Sequence, residues 1–268
     1  MHTYHSLTKD LAQSGLQPED SVLVHSSMKA IGEVEGRADT VLDVLMDYFG
    51  QQGLLVLPTL TWSNVNAEQP RFSVRETPSV VGILPQLFRQ RPGVIRSLHP
   101  THSVAAWGTD AGEFCAGHER FQSPCARQSP WGKLYDRKGK ILFLGTSISH
   151  NTFLHAVEEW FDLGATVSLE TQLLEVCDES GRVLSLPSRR HIGGHSRYYH
   201  LMEAPFLAAG ALTRCRIGDA ECCIIEARTA ADCTRKMLLE NPEMFILEWN
   251  NAHPQFWEQV VNRASAKP

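Results

Sequence analysis

Two short runs set the terms for this chain. Val22-Leu23-Val24 leads into the polar, glycine-ended loop His25-Ser26-Ser27-Met28-Lys29-Ala30-Ile31-Gly32, and about 120 residues later Ile141-Leu142-Phe143-Leu144-Gly145 leads into Ser149-His150-Asn151-Thr152 and Phe153-Leu154-His155-Ala156-Val157-Glu158. Successive side chains of a strand point to opposite faces, so a run that is apolar at every position needs cover on both. Leu54-Leu55-Val56-Leu57-Pro58 is a third such run. A sheet built on these strands needs a layer of helices above and another below.

The intervening segments supply them. Residues 7–16 and 39–49 have helical spacing, the latter through Val41, Leu42, Leu45 and Phe49, and 80–89 reads as a helix with Pro85 in its first turns or at a kink. Residues 103–107 and 140–144 add strands. This βαβ rhythm predicts an α/β fold, an α/β/α sandwich with a central, mostly parallel sheet. Beyond residue 160 the pattern changes. Strands over 166–177 and 182–186 join through Asp178-Glu179-Ser180-Gly181, 196–209 and 230–239 read as helices, and 211–217 with 221–226 forms a hairpin across Gly218-Asp219. These predict an additional mixed antiparallel layer on the substrate side. No repeat or linker interrupts the chain, so residues 1–268 read as one domain, with 1–160 as cofactor-binding and catalytic core and 161–268 as mixed layer and tail. The tail holds Trp249 and Trp257 and packs on its own body or on a second copy, which leaves a homodimer open.

Composition removes several classes of function. At a net charge of −5 the chain lacks the basic footprint of a nucleic-acid binder and has no attraction to anionic lipid. No apolar run reaches the ~20 residues of a membrane span, and the first ten residues lack the basic-then-apolar pattern of a secretory leader. The cytoplasm is the expected compartment. The seven cysteines are odd in number, include no C-x-x-C, and read as free buried thiols.

Motifs narrow the chemistry further. The chain has no G-x-G-x-x-G after a strand, no P-loop, no H-E-x-x-H and no G-x-S-x-G, which disfavours dinucleotide dehydrogenases, P-loop NTPases, zinc proteases and α/β-hydrolases. His99 and His102 flank a proline in a loop, and His191, His195 and His200 lack nearby carboxylates or thiolates in sequence, so no bound metal is expected. His155 differs. Residues three or four apart share a helix face, so Glu158 or Glu159 can reach its ring, fix its tautomer and raise its basicity. The helix also begins where a buried strand ends, the usual edge for a site in an open sheet.

Ordered blocks along residues 5–160 resemble the aminoglycoside 3-N-acetyltransferases, the antibiotic N-acetyltransferase family. They are Val24-His25-Ser26-Ser27 with Ile31-Gly32, Leu55-Val56-Leu57-Pro58-Thr59, the run from Arg96 through His99-Pro100-Thr101-His102-Ser103 to Gly108, Ser129-Pro130-Trp131-Gly132, and Asn151-Thr152-Phe153-Leu154-His155-Ala156-Val157-Glu158. The resemblance implies an acetyl-CoA-dependent N-acetyltransferase, by default acting on the 3-amino group of an aminoglycoside and conferring resistance. His155 then matches the catalytic histidine and Glu158 the acid of its H-x-x-E pattern. His25, Ser26, Ser27, Lys29, Ile31 and Gly32 match the stretch lining the acetyl-CoA tunnel, and His102, Ser103 and Ser129 match segments near the same co-substrate.

One departure bears on the acceptor. The family often carries a His-Asp pair in the turn before Asn-Thr, where Ile148 and Ser149 stand here. A polycationic acceptor calls for carboxylates. The candidates for holding it are Asn151, Glu159 and Glu203, with Asp162 and Glu170 as further acids, yet residues 187–200 contain Arg189, Arg190, Arg197, three histidines and no acid. That composition fits a less cationic amine, such as one bearing phosphate or carboxylate. Two other readings remain: a non-catalytic CoA-binding protein on the same scaffold, and metal-assisted hydrolysis with zinc at His99 and His102.

Overall fold

The computed structural model describes residues 1–50, 52–161 and 166–265. In chain order the elements are α1 (Tyr4–Gln13), β1 (Ser21–Ser26), α2 (Arg37–Phe49), β2 (Leu54–Pro58), β3 (Arg71–Ser73), α3 (Ile83–Phe88), β4 (Ile95–Arg96), β5 (Val104–Gly108), α4 (Ala111–Cys115), α5 (Pro130–Asp136), β6 (Lys140–Leu144) and α6 (Thr152–Phe161). There follow β7 (Gln172–Cys177), β8 (Val183–Ser188), α7 (Glu203–Ala208), β9 (Leu212–Ile217), β10 (Ala220–Glu226), α8 (Ala227–Glu240), α9 (Leu247–Ala252) and α10 (Phe256–Ser265).

The two opening runs are neighbours in the sheet. β1 and β6 pair in parallel, with His25 opposite Phe143 and Ser26 opposite Leu144, so both strands end at one edge. The seven-stranded sheet has the order β4-β5-β2-β1-β6-β10-β9. Its centre, β2-β1-β6, is parallel, and antiparallel pairs flank it on both sides. All strands except β5 and β10 therefore point the same way, as expected of a mostly parallel sheet.

Side-chain alternation sorts the core into two layers. Val22, Val24, Leu55, Leu57, Leu142 and Leu144 face one cluster, packed with Leu7, Leu11, Val41 and Leu45 of α1 and α2. Leu23, Val56, Ile141 and Phe143 face the other, packed with Trp131 of α5, Phe153 and Val157 of α6, and Ala230 of α8. Each such side chain taken out of water contributes about 1.5–3 kcal/mol, which is why sequence runs this short fix the sheet.

The second half departs from expectation in three places. The 211–226 hairpin extends the main sheet, because Cys222–Glu226 of β10 pairs antiparallel with β6. The separate layer is instead a three-stranded sheet, β3-β7-β8, whose edge strand comes from residues 71–73. The segment expected to be one helix over 196–209 divides into a 3-10 run, His195–Met202, and α7. Pro205 has no N–H to donate and is tolerated only within the first turn, which sets where α7 starts. The same rule makes α3 begin at Ile83, later than expected, with Pro85 in its first turn.

The tail folds onto its own body. Trp257 of α10 is buried, donates Nε1–H to Asn250 Oδ1 at 2.7 Å and stacks on Phe245 at 5.9 Å between centroids. Phe245 in turn meets Tyr199 edge-on at 5.0 Å. No disulfide forms among the seven cysteines, and no helix among the described residues is long and apolar enough to cross a membrane. Trp257→Ala should lower unfolding stability by about 3–5 kcal/mol, the usual cost of emptying a buried aromatic site. Urea denaturation checks this, and a loss below ~1 kcal/mol would mean the tail does not brace the core.

Candidate active site

At the edge where β1, β2 and β6 end, the loops enclose a cavity of about 560 Å³. One wall is apolar, with Val24, Pro58, Leu60, Val80, Val81 and Pro85. The polar part of the lining includes His102, His155, Arg190 and His191. β1 brings His25 and Ser26 to the rim, while the turn after β6 brings Thr146, Ser149, His150 and Asn151. Gly145 makes that turn possible: its φ is +66°, and a Cβ there would press on Ala30 and Ala220.

His155 sits on α6, one turn in from its start, and its Nδ1 lies 2.6 Å from Tyr199 Oη. Tyr199 donates its hydroxyl hydrogen to Glu158 Oε2 in a short bond, so Oη accepts from His155 Nδ1–H. His155 Nδ1 is also 3.4 Å from Glu158 Oε2, long for a hydrogen bond, so the acid acts on the ring chiefly through the phenol. The other oxygen, Oε1, is 2.6 Å from His195 Nδ1. Burial alone would raise the Glu158 pKa; the neighbouring His155 and His195 imidazoles outweigh it and hold the carboxyl at about 2. Burial, with the Glu158 charge beside it, pushes the Tyr199 phenol well above its ordinary value, so its proton stays put. With Nδ1 committed as donor, His155, which lines the cavity, keeps Nε2 as its acceptor.

A second chain of hydrogen bonds stands beside the first. His191 stacks on His155 at 4.3 Å. Its Nε2 is 2.6 Å from Glu159 Oε1, its Nδ1 is 3.2 Å from His102 Nε2, and His102 Nδ1 is 2.9 Å from Thr101 Oγ1. Two assignments satisfy every atom: Thr101 donates to His102, His102 to His191 and His191 to an ionised Glu159, or a protonated Glu159 donates to His191, His191 to His102 and His102 to Thr101. Burial pushes Glu159 up to about 7 against the Ser123 and Cys125 hydrogen bonds, so this proton moves near neutrality. Burial lowers His102 and His191 well below the ordinary imidazole value, and both are neutral. The backbone fixes this wall: Ser168 N–H donates to the Arg190 carbonyl and Ile192 N–H to that of Thr166.

The sequence-derived candidates divide accordingly. His25, Ser26, His102, Asn151 and His155 border one cavity, with Glu158 behind His155. Two of them carry unsatisfied buried atoms, His25 Nε2 and both amide atoms of Asn151. His25 stacks on Phe143, and burial drives its pKa down to about 3, so it is neutral. Ser27, Lys29, Ile31 and Gly32 fall outside the cavity wall. Ile31 is a core residue, and its carbonyl accepts from Asp219 N–H at the β9–β10 turn. Ser103 is spent on Arg96 and Thr59, and Ser129 is buried at the start of α5. Glu159 is closed off by His191 and by Cys125 N–H. Glu203 pairs with Arg214 on an exposed face. Glu170 is exposed, and Asp162 lies outside the described residues. Tyr199, His191 and His195 are the residues the sequence reading did not place here; the cluster of histidines at 191–200 was their only trace.

His99 Nδ1 accepts from His102 N–H, which separates the two rings expected in the zinc alternative. Among the described residues Cys125, Glu159 and His191 place ligand atoms within 4.8 Å of one another. Burial and Glu159 raise the Cys125 thiol well above its ordinary value, and the other two engage each other.

Comparison with known proteins agrees with this architecture. The model of the aminoglycoside 3-N-acetyltransferase family matches residues 23–239. The chain is 32% identical over 176 residues to an SPbeta prophage-derived aminoglycoside N(3')-acetyltransferase-like protein, YokD, of Bacillus subtilis, covering 58% of this chain and 64% of that one. It is 33% identical over 173 residues to aminoglycoside N(3)-acetyltransferase VII of Streptomyces paromomycinus, covering 58% and 60%. The matched stretch thus spans under two thirds of these relatives' length. The crystal structure of Bacillus subtilis YokD superposes with a TM-score of 0.78 at 26% identity, covering 90% of this chain and all of the other. AAC-IIIb, solved as a binary complex with CoASH, shares the fold at a TM-score of 0.78 and 24% identity, over 89% and 96% of the two chains. The match over residues 23–239 is most of the chain, and the protein belongs to the aminoglycoside 3-N-acetyltransferase family.

Proposed function

We propose that this protein transfers the acetyl group of acetyl-CoA to a primary amine by direct attack in a ternary complex, with His155 Nε2 as general base. The observation that carries the reading is the His155–Tyr199–Glu158 chain, which ends on the imidazole of a cavity-lining residue. Family membership supplies the reaction class, and a relative of this fold binds coenzyme A. The cavity fits the reactive end of such a donor, with an apolar wall for a thin chain and the unsatisfied His25 and Asn151 atoms for its amides.

Acetyl-CoA brings an acyl group already activated as a thioester, so no acyl-enzyme is needed. The protein's work is on the amine. An amine of pKa ~10.4 costs roughly 4.6 kcal/mol to be neutral at pH 7. A positioned base contributes about 10² to 10⁴ in rate, or ~3 to 5 kcal/mol, which is the same size. His155 Nε2 takes the proton as the N–C bond forms and returns it to sulfur as the C–S bond breaks. Tyr199 and Glu158 are positioning residues: they hold Nδ1 as donor and stabilise the imidazolium while it lasts.

Three measurements test this. His155→Ala should lower kcat by about 10² to 10⁴ with the Kd for acetyl-CoA unchanged; undiminished turnover removes His155 from the mechanism. Tyr199→Phe should lower kcat roughly tenfold or more and shift the pH–rate profile while KM for acetyl-CoA holds. A merely structural phenol would leave that profile in place.

The third concerns stability. The Glu158 pKa is depressed to about 2 from an ordinary 4.5, so its stabilisation is complete above pH ~4.5 and is lost as pH falls toward 2. Between those limits wild type should lose about 3 kcal/mol more than Glu158→Gln. Parallel unfolding curves for the two proteins across that window would contradict an ionised, buried Glu158.

A further inference from the structure

A polycation entering this cavity would meet no counter-charge: among the described residues no carboxylate borders it. Glu158 is sealed behind Tyr199 and His155, Glu159 is closed by His191 and Cys125, and Glu203 is held by Arg214. The fixed charge that does border the cavity is positive. Arg190 donates from Nη2 to the Trp62 carbonyl at 2.5 Å and from Nη1 to Gln172 Oε1 at 3.4 Å, which leaves most of its five N–H donors free. The arginines that pair with acids are Arg91, Arg127, Arg137 and Arg214; Arg190 is not among them.

Position gives this charge its meaning. Arg190 lines the same cavity as His155 and His191, whose rings stack, so a small molecule whose nitrogen reaches His155 can extend its remainder toward the guanidinium. A guanidinium with open donors in a partly enclosed site matches the geometry of a carboxylate or phosphate and repels a second cation. Ser149, in the turn before Asn151, adds a hydroxyl and no charge. The neutral His102 and His191 add further hydrogen-bonding capacity and no opposing charge.

We infer that the acceptor is a primary amine that also bears an oxyanion, with the amine at His155 Nε2 and the oxyanion on Arg190, and is not a polycationic aminosugar. This rests on the acetyl-transfer reading above, and the bonds made and broken are those already described. Coenzyme A also carries phosphates, so the test separates donor from acceptor.

Thiol release from acetyl-CoA is measured with amines matched except in charge: phosphoethanolamine against ethanolamine, β-alanine against β-alaninamide, and neomycin as the polycation. The anionic member of at least one pair should exceed its neutral twin in kcat/KM by roughly ten- to a hundredfold, the size of one charge-assisted hydrogen bond. Which pair responds distinguishes phosphate from carboxylate. Arg190→Gln should bring the anionic-to-neutral ratio of kcat/KM close to one, and Arg190→Lys should restore part of the advantage. Neomycin turning over faster than every anionic amine overturns the inference, as does no advantage in either pair. An Arg190→Gln defect confined to KM for acetyl-CoA also overturns it, by assigning the guanidinium to the donor. Absence of thiol release with any amine, in protein that still binds acetyl-CoA, overturns the acetyl-transfer reading itself and this inference with it.

Discussion

The parallel pairing of β1 with β6 is the constraint from which the site follows. Two strands distant in sequence end side by side because their apolar faces are buried in the same two layers, and a shift of one residue would turn Leu23 and Ile141 into the wrong cluster. That register puts His25 and Ser26 next to the turn that starts α6. Neither loop has to be held by contacts of its own. The hydrophobic packing beneath them sets their spacing, and the chemistry is built on rigid strand ends.

On that platform the main electrostatic burden is Glu158, an ionised carboxylate that is only 2% exposed. A buried charge without partners costs several kcal/mol. This one has His195 on one oxygen and Tyr199 on the other, each supplied by the 3-10 run between β8 and α7. The C-terminal tail extends the support, since Trp257 stacks on Phe245 and Phe245 packs against Tyr199. Residues near 250 therefore bear on the His155 ring through two aromatic contacts and one phenol. The second half of the chain is a structural partner of the site, well beyond a cover for it.

This explains what could be read from the sequence and what could not. The strands were legible because burial on both faces leaves unbroken apolar runs, and His155 with Glu158 was legible because i and i+3 on a helix share a face. The acidic residue's real partners were not. Tyr199 and His195 lie 41 and 37 positions from Glu158 and arrive by a 3-10 segment whose composition resembles an exposed loop. Pairing of β10 with β6 was also hidden, since Cys222 to Glu226 alternates in the same way whether it edges a small sheet or extends a large one. The loop residues Ile31 and Gly32 are part of the β9–β10 junction, a contact between segments nearly 190 residues apart that no local pattern encodes. Local periodicity reports what an element needs, and only the assembled fold reports which partner meets the need.

The unsatisfied atoms at the cavity show where stability has been given up. The polar network around Arg96, Ser103 and Thr59 gives each donor an acceptor, whereas His99 Nε2, Trp131 Nε1 and Thr166 Oγ1 share the lack of a partner seen at the cavity. Asn151 is 1% exposed with neither amide atom bonded, and His25 Nε2 is equally alone. Each unmet group costs about 1–3 kcal/mol, and an apolar residue of similar shape would relieve that cost. A sequence optimised for folding alone would have made the exchange at position 151, beside a turn already secured by Ser147 and Ile148 carbonyls. Retaining the amide makes sense if the missing partner is a ligand, whose polar groups then find donors and acceptors oriented before it arrives.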